Sequence, residues 1–199
     1  MSDILCVTDR SLCEGEFLTR IEQIAKAGVK GIILRDKKSD EASYKELASS
    51  VLEICKTYHV PCILHSFKNV AAELCAEGLH MPLTLLRNMT EEEKRKFSLL
   101  GASCHSVEEA VEAERLGCTY LVAGHVFETD CKAGLPGRGT EFLENVCRKV
   151  KLPVYGIGGI NSKNYRKIKQ TGATGCCIMS GLMRCADVRG YMEEFENEA

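Results

Sequence analysis

No run of basic residues, no long apolar segment and no C-x-x-C pair occurs in the sequence, and each absence removes a class of function. With 26 Lys and Arg against 28 Asp and Glu, the net charge is -2, so the attraction that drives non-specific binding to phosphate backbones is missing. Neither DNA nor RNA is an expected partner. No stretch approaches the roughly 20 apolar residues that span a bilayer, and Met1 to Asp9 shows neither a charged n-region nor an apolar h-region. The expectation is a soluble, cytoplasmic protein with no membrane contact. Twelve cysteines are present, but with no C-x-x-C spacing they lack the two close pairs of ligands a zinc site needs, and nothing signals the export that a disulfide framework would require. Cys6, Cys62, Cys104, Cys176 and Cys177 lie in apolar strand-like runs and Cys55 and Cys147 on apolar helix faces, so they read as small buried hydrophobes. No Pro/Gly/Ser-rich linker or low-complexity segment divides residues 1–199, which predicts one domain.

What is present is a repeating rhythm. Short β-rich runs at 4–8, 31–35, 61–65, 78–81, 99–104, 120–123, 153–157 and 175–179 alternate with amphipathic segments such as Phe17, Ile21, Ile24 and Ala25. Ala27-Gly28, Leu116-Gly117 and Thr171-Gly172 each precede a strand by two or three residues, where glycine supplies a left-handed helix end. Thr90 with Glu93, and Ser106 with Glu109, have capping-box spacing. The third-to-fourth crossover reads poorly. Strands that are nearly all apolar need helices on both faces, as parallel sheets do, and eight such units predict a closed (β/α)8 TIM barrel. A doubly wound open sheet is the alternative, disfavoured because Val7-Thr8-Asp9-Arg10 follows the first strand where a glycine-rich dinucleotide loop would stand.

In such a barrel the active site forms at the C-terminal strand ends. His65, His80, His105 and His125, four of the five histidines, fall at such ends. Taken singly each could be a structural plug; together they suggest either a polyhistidine metal centre or a proton-transfer site with one acting imidazole. Gly156-Ile157-Gly158-Gly159-Ile160 and Ser180-Gly181 close the last two strands, where barrels hold phosphate monoesters on main-chain N–H groups, so Gly158, Gly159, Ser180 and Gly181 are the expected phosphate site. Residues 124–139, GHVFETDCKAGLPGRG, make a 16-residue loop carrying His125, Glu128, Asp130, Lys132 and Arg138, a candidate mobile lid. Arg35 and Lys37 follow the second strand and could fork onto a carboxylate or phosphate, or simply pair with Asp36 or Asp40.

ILRDKK at 33–38, GLHM at 78–81, SCHSVEEAVEA at 103–113, the 124–139 loop, YGIGGI at 155–160 and IMSG at 178–181 resemble, in order and over nearly the whole chain, the thiamin phosphate synthase superfamily. Within it, the histidine-bearing loop is similar to the thiazole tautomerase branch, since synthases show G-P-I-F-x-T-x-T-K there. Synthases also place an Asn-Asp pair after the third strand and an Asp after the fourth to hold Mg²⁺ and a pyrimidine diphosphate. Here the matching positions read His65-Ser66 and Met81-Pro82-Leu83-Thr84, and Ile33 replaces the glutamine two residues before the arginine.

That resemblance implies a thiazole tautomerase, an isomerase converting an exocyclic carboxythiazole phosphate to its aromatic isomer by proton transfer with no cofactor and no metal. His125 would carry the proton. Arg35, Lys37, His65, His105, Lys132 and Gly134 would border the small-molecule thiazole phosphate, with Arg35 the candidate for its carboxylate. Three alternatives stand beside it: a Mg²⁺-dependent thiamin phosphate synthase, a non-catalytic module that binds thiazole phosphate, and a metal hydrolase built on the histidines. Pairing into a homodimer is compatible with the sequence.

Overall fold

The computed structural model describes residues 3–132 and 134–197. Eight strands pair in parallel in chain order and close on themselves: β1 (Ile4–Val7), β2 (Gly31–Leu34), β3 (Cys62–His65), β4 (Gly78–Pro82), β5 (Leu99–Cys104), β6 (Tyr120–Gly124), β7 (Val154–Ile157) and β8 (Gly175–Ile178). Closure places Ile4 opposite Cys176 and Cys6 opposite Ile178. Every strand begins and ends within one residue of its expected bounds.

The connections carry α1 (Phe17–Lys26), α2 (Glu41–Thr57), α3 (Lys68–Glu73), α4 (Leu83–Leu86), α5 (Glu91–Lys94), α6 (Val107–Arg115), α7 (Gly139–Lys149), α8 (Ser162–Lys169), α9 (Ser180–Arg184) and α10 (Val188–Asn197). The third crossover is the six-residue α3, and the fourth consists of two four-residue turns, α4 and α5. Neither is long enough to display a 3.6-residue apolar period, which is why that region reads poorly.

Alternation along each strand creates two apolar layers. Ile4 and Cys6 face the helices, in a layer shared with Ile21, Ile24, Val51 and Leu64. Leu5 and Val7 face the barrel interior with Ile33, Ile63, Tyr120, Val122, Tyr155 and Cys177. Each fully buried aliphatic side chain contributes about 1.5–3 kcal/mol, so both layers are needed to hold short strands closed. Cys6, Cys55, Cys62, Cys104, Cys118, Cys176 and Cys177 are buried and serve this packing, whereas Cys147, expected among them, is only half-buried and Cys75 and Cys131 are exposed. All twelve are free, and burial pushes the Cys104 and Cys176 thiols up to about 12, so they stay protonated.

Helix ends follow the local chemistry. Gly28, at φ +78°, stands one residue past the Ala27 cap of α1, and Gly117 takes the same conformation at +88° after α6. Thr90 and Glu93 form a complete capping box at α5, with bonds of 3.2 and 2.8 Å. At α6 the box is only half made. Ser106 accepts from the Glu109 amide at 3.1 Å, but the Glu109 carboxylate takes the amide of His105 instead, fixing the end of β5.

Candidate active site

The first sector of the C-terminal rim lies at the ends of β1 to β3. The Thr8 hydroxyl donates to the Arg35 carbonyl at 3.0 Å and accepts from the Arg35 amide at 2.9 Å, locking the backbone from which Arg35 projects. The Arg35 guanidinium meets Asp9 at 3.5 Å rather than Asp36 or Asp40. Asp36 takes Arg10, the Lys38 amide and the Ser39 hydroxyl, while Asp40 caps α2 through the Ser43 amide. Burial works against ionisation of Asp9, yet hydrogen bonds from Ser11 and the charge of Arg35 hold its carboxyl below the usual range. Lys37 is exposed.

His65 ends β3 with Nδ1 2.7 Å from the Ser66 hydroxyl. Burial, and then the charges of Arg35 and Lys37, push its imidazole down to about 4, so it is neutral at physiological pH. Its amide donates to the hydroxyl of Tyr44 at 2.9 Å, and that hydroxyl donates to the Leu34 carbonyl at 2.7 Å. Tyr44 therefore ties β2 to β3 beneath the mouth while its ring stacks on Phe67, with centroids 4.2 Å apart. Sequence reasoning missed this residue, because on the apolar face of α2 it is indistinguishable from ordinary core.

His80 corrects the picture of four histidines on one rim. It sits in the middle of β4, 2% exposed, and points into the barrel. Nδ1 lies 2.9 Å from the Tyr120 hydroxyl and Nε2 2.9 Å from that of Ser103. Burial, and then His65, push it down to about 3. His65 stacks against it at 5.6 Å, whereas His105 Nδ1 binds the Gly124 carbonyl at 2.9 Å and His125 Nε2 meets the Leu135 carbonyl at 3.3 Å. Among the described residues no group of three His, Cys, Asp or Glu side chains could hold a metal ion. The histidines thus divide among separate partners, which removes the geometric basis of a polyhistidine hydrolase.

The loop after β6 is less free than its length suggests. Val126 donates to the Ile157 carbonyl at 2.8 Å and Phe127 to Gly158 at 3.0 Å, so it starts by running along β7. Arg138 donating to the His125 carbonyl and Gly139 to that of Val126 close its base, and Asp130–Lys132 forms a 3-10 turn. Lys132 and Gly134 line a cavity of about 520 Å³ within the loop, shared with Glu128, Asp130 and Leu135.

Gly158 and Gly159 follow β7 at φ +99° and +65°. The reason for glycine here differs from the expected close approach of a phosphate. A Cβ on Gly158 would lie 2.4 Å from the Cβ of His125, one on Gly159 2.3 Å from the Glu128 carbonyl oxygen, and one on Gly181 2.0 Å from the Tyr191 hydroxyl. The protein's own loop and α10 fill that space. The amides are another matter. Those of Gly158 and Gly159 meet no acceptor among the described residues, and Ser180 and Gly181 open α9, where no intrahelical acceptor exists.

A closed parallel barrel with cations at one side of its C-terminal mouth and main-chain amides at another belongs to the (β/α)8 class. More narrowly, the chain belongs to the thiamine monophosphate synthase family, whose model matches residues 4–182. It is 36% identical to the thiamine-phosphate synthase of Clostridium acetobutylicum, over 92% of this chain and 88% of that one. The thiamine-phosphate synthase of Syntrophomonas wolfei is also 36% identical, over 92% and 90%. Thiamine phosphate pyrophosphorylase from Pyrococcus furiosus superposes with a TM-score of 0.85 at 29% identity, covering 98% of this chain and 94% of that one.

These relatives overturn the tautomerase expectation: across the full length, the similarity runs to proteins named as synthases, not isomerases. His125 outweighed the rest of the loop in the sequence reading, although Gly124, Phe127, Thr129 and Lys132 stand where the synthase pattern has the same residues. In the structure the His125 imidazole binds the loop's own Leu135 carbonyl. The family also implies Mg²⁺, and the donors do not fit it. The end of β3 offers an imidazole and a hydroxyl, the end of β4 Pro82, Leu83 and Thr84, and none supplies the anionic oxygen that Mg²⁺ requires.

Proposed function

We propose that the chain is a thiamine-phosphate synthase, a transferase that joins a thiazole phosphate to a pyrimidine carried as its diphosphate. The thiazole nitrogen forms a C–N bond to the pyrimidine methylene carbon as the C–O bond to the diphosphate breaks, and the electron pair leaves on that oxygen. The observation that carries this reading is full-length similarity to synthases in a barrel with two anion-directed sectors at one mouth. The amides of Gly158, Gly159, Ser180 and Gly181 suit the monophosphate of the thiazole. Arg35 and Lys37, with Lys132 reaching from the loop, suit the diphosphate. His65 and His105 border the space between, Gly134 gives the loop its turn, and His125 positions the loop base.

The test is to incubate the purified protein with both substrates, with Mg²⁺ and with chelator, and to quantify thiamine phosphate and released diphosphate. Equimolar appearance of the two products is the expected result. No thiamine phosphate under either condition would overturn the assignment.

A further inference from the structure

We infer that the leaving-group side of this mouth takes its diphosphate without a divalent cation, the positive charge coming from Arg35 and Lys37. This rests on the synthase reading and departs from the metal-dependent arrangement of the family.

Mg²⁺ keeps several waters and is held through one or two carboxylates plus substrate phosphates. The carboxylates flanking this sector are committed elsewhere: Asp9 to Ser11 and Arg35, Asp36 to Arg10, the Lys38 amide and Ser39, and Glu109 to the His105 amide. At the end of β3 stands His65, its Nδ1 bonded to Ser66, and the charges of Arg35 and Lys37 act directly on this ring. A divalent ion placed there would sit among neutral donors beside the Arg35 and Lys37 charges, with the nearby carboxylates already engaged, so nothing at this end of the barrel would hold it.

The same two cations can replace it. Arg35 spends one nitrogen on a 3.5 Å contact with Asp9, leaving most of its five donors for a bidentate grip on phosphoryl oxygens. Lys37 has no ion-pair partner among the described residues and can follow the second phosphoryl group. The bond change needs nothing further: one electron pair departs with the diphosphate oxygen, one arrives from the thiazole nitrogen, and no proton or electron must come from a metal.

The measurement is calorimetric titration of the full chain with inorganic diphosphate, in chelator and with excess Mg²⁺, followed by the two-substrate assay under the same two conditions. The expected result is binding in chelator that is unchanged or weakened by Mg²⁺, since the metal competes for the free ligand. Arg35→Ala should weaken it at least tenfold, and Lys37→Ala, an exposed change that leaves the fold alone, several-fold. Binding that appears only with Mg²⁺, or wild-type affinity in both variants, overturns the inference and leaves the synthase reading standing. Absence of binding in both conditions overturns the inference, and the two-substrate assay decides the synthase reading. Binding in chelator with no thiamine phosphate formed either in chelator or with Mg²⁺ supports the metal-free site and removes the synthase reading.

Discussion

Gly158 shows how one position serves the site through sterics rather than through its own chemistry. At φ +99° an L side chain is strained, and a Cβ would collide with that of His125, so the base of the loop can lie on β7 only over glycine. Gly158→Ala should therefore cost about 2 kcal/mol or more in denaturant unfolding and reduce activity by displacing residues 125–128 from the mouth. A variant with wild-type midpoint and turnover would show that the chain relaxes there freely. The glycine pairs were visible in the sequence. Their reason was not, because the space above Gly158 and Gly159 is filled by a segment about thirty residues earlier and that above Gly181 by Tyr191 of α10.

Among elements, the β2–β3 junction depends on a side chain from the helix between them. The Tyr44 hydroxyl accepts from the His65 amide and donates to the Leu34 carbonyl at full burial, while the ring stacks on Phe67. Tyr44→Phe retains the stack but leaves a buried donor and acceptor unpaired, which costs about 1–3 kcal/mol. The expected outcome is a lower urea midpoint with an unchanged slope, and a change under about 0.5 kcal/mol would mean water or rearrangement satisfies both groups. The strands were readable to within a residue because each is a short apolar run bounded by turn chemistry. The α3 to α5 region was not, since helices of four to six residues are placed by their neighbours and not by periodicity.

For the whole molecule, the buried imidazoles make stability depend on pH. His80 and His65 are pushed down from 6.5 to about 3 and about 4, chiefly by burial, so between pH 6.5 and 4 the unfolded chain binds protons that the folded chain does not. Stability is fully present above 6.5 and lost as pH falls through that window. Urea unfolding should show a loss of about 2 kcal/mol for each ring, about 4 kcal/mol in all, between pH 7 and pH 5, above the range where carboxylates titrate. A flat profile there would show that both rings accept protons in the folded state. The barrel was legible from residues that act locally: the number and order of strands, the strand cysteines as packing groups, the left-handed helix ends and the family all follow from apolar runs, turn residues and short motifs. The tertiary structure decided which histidines look into the barrel, which meet the loop and which carboxylates are already engaged, because those outcomes depend on residues far apart in the chain that only closure of the strands into a ring brings within hydrogen-bonding distance.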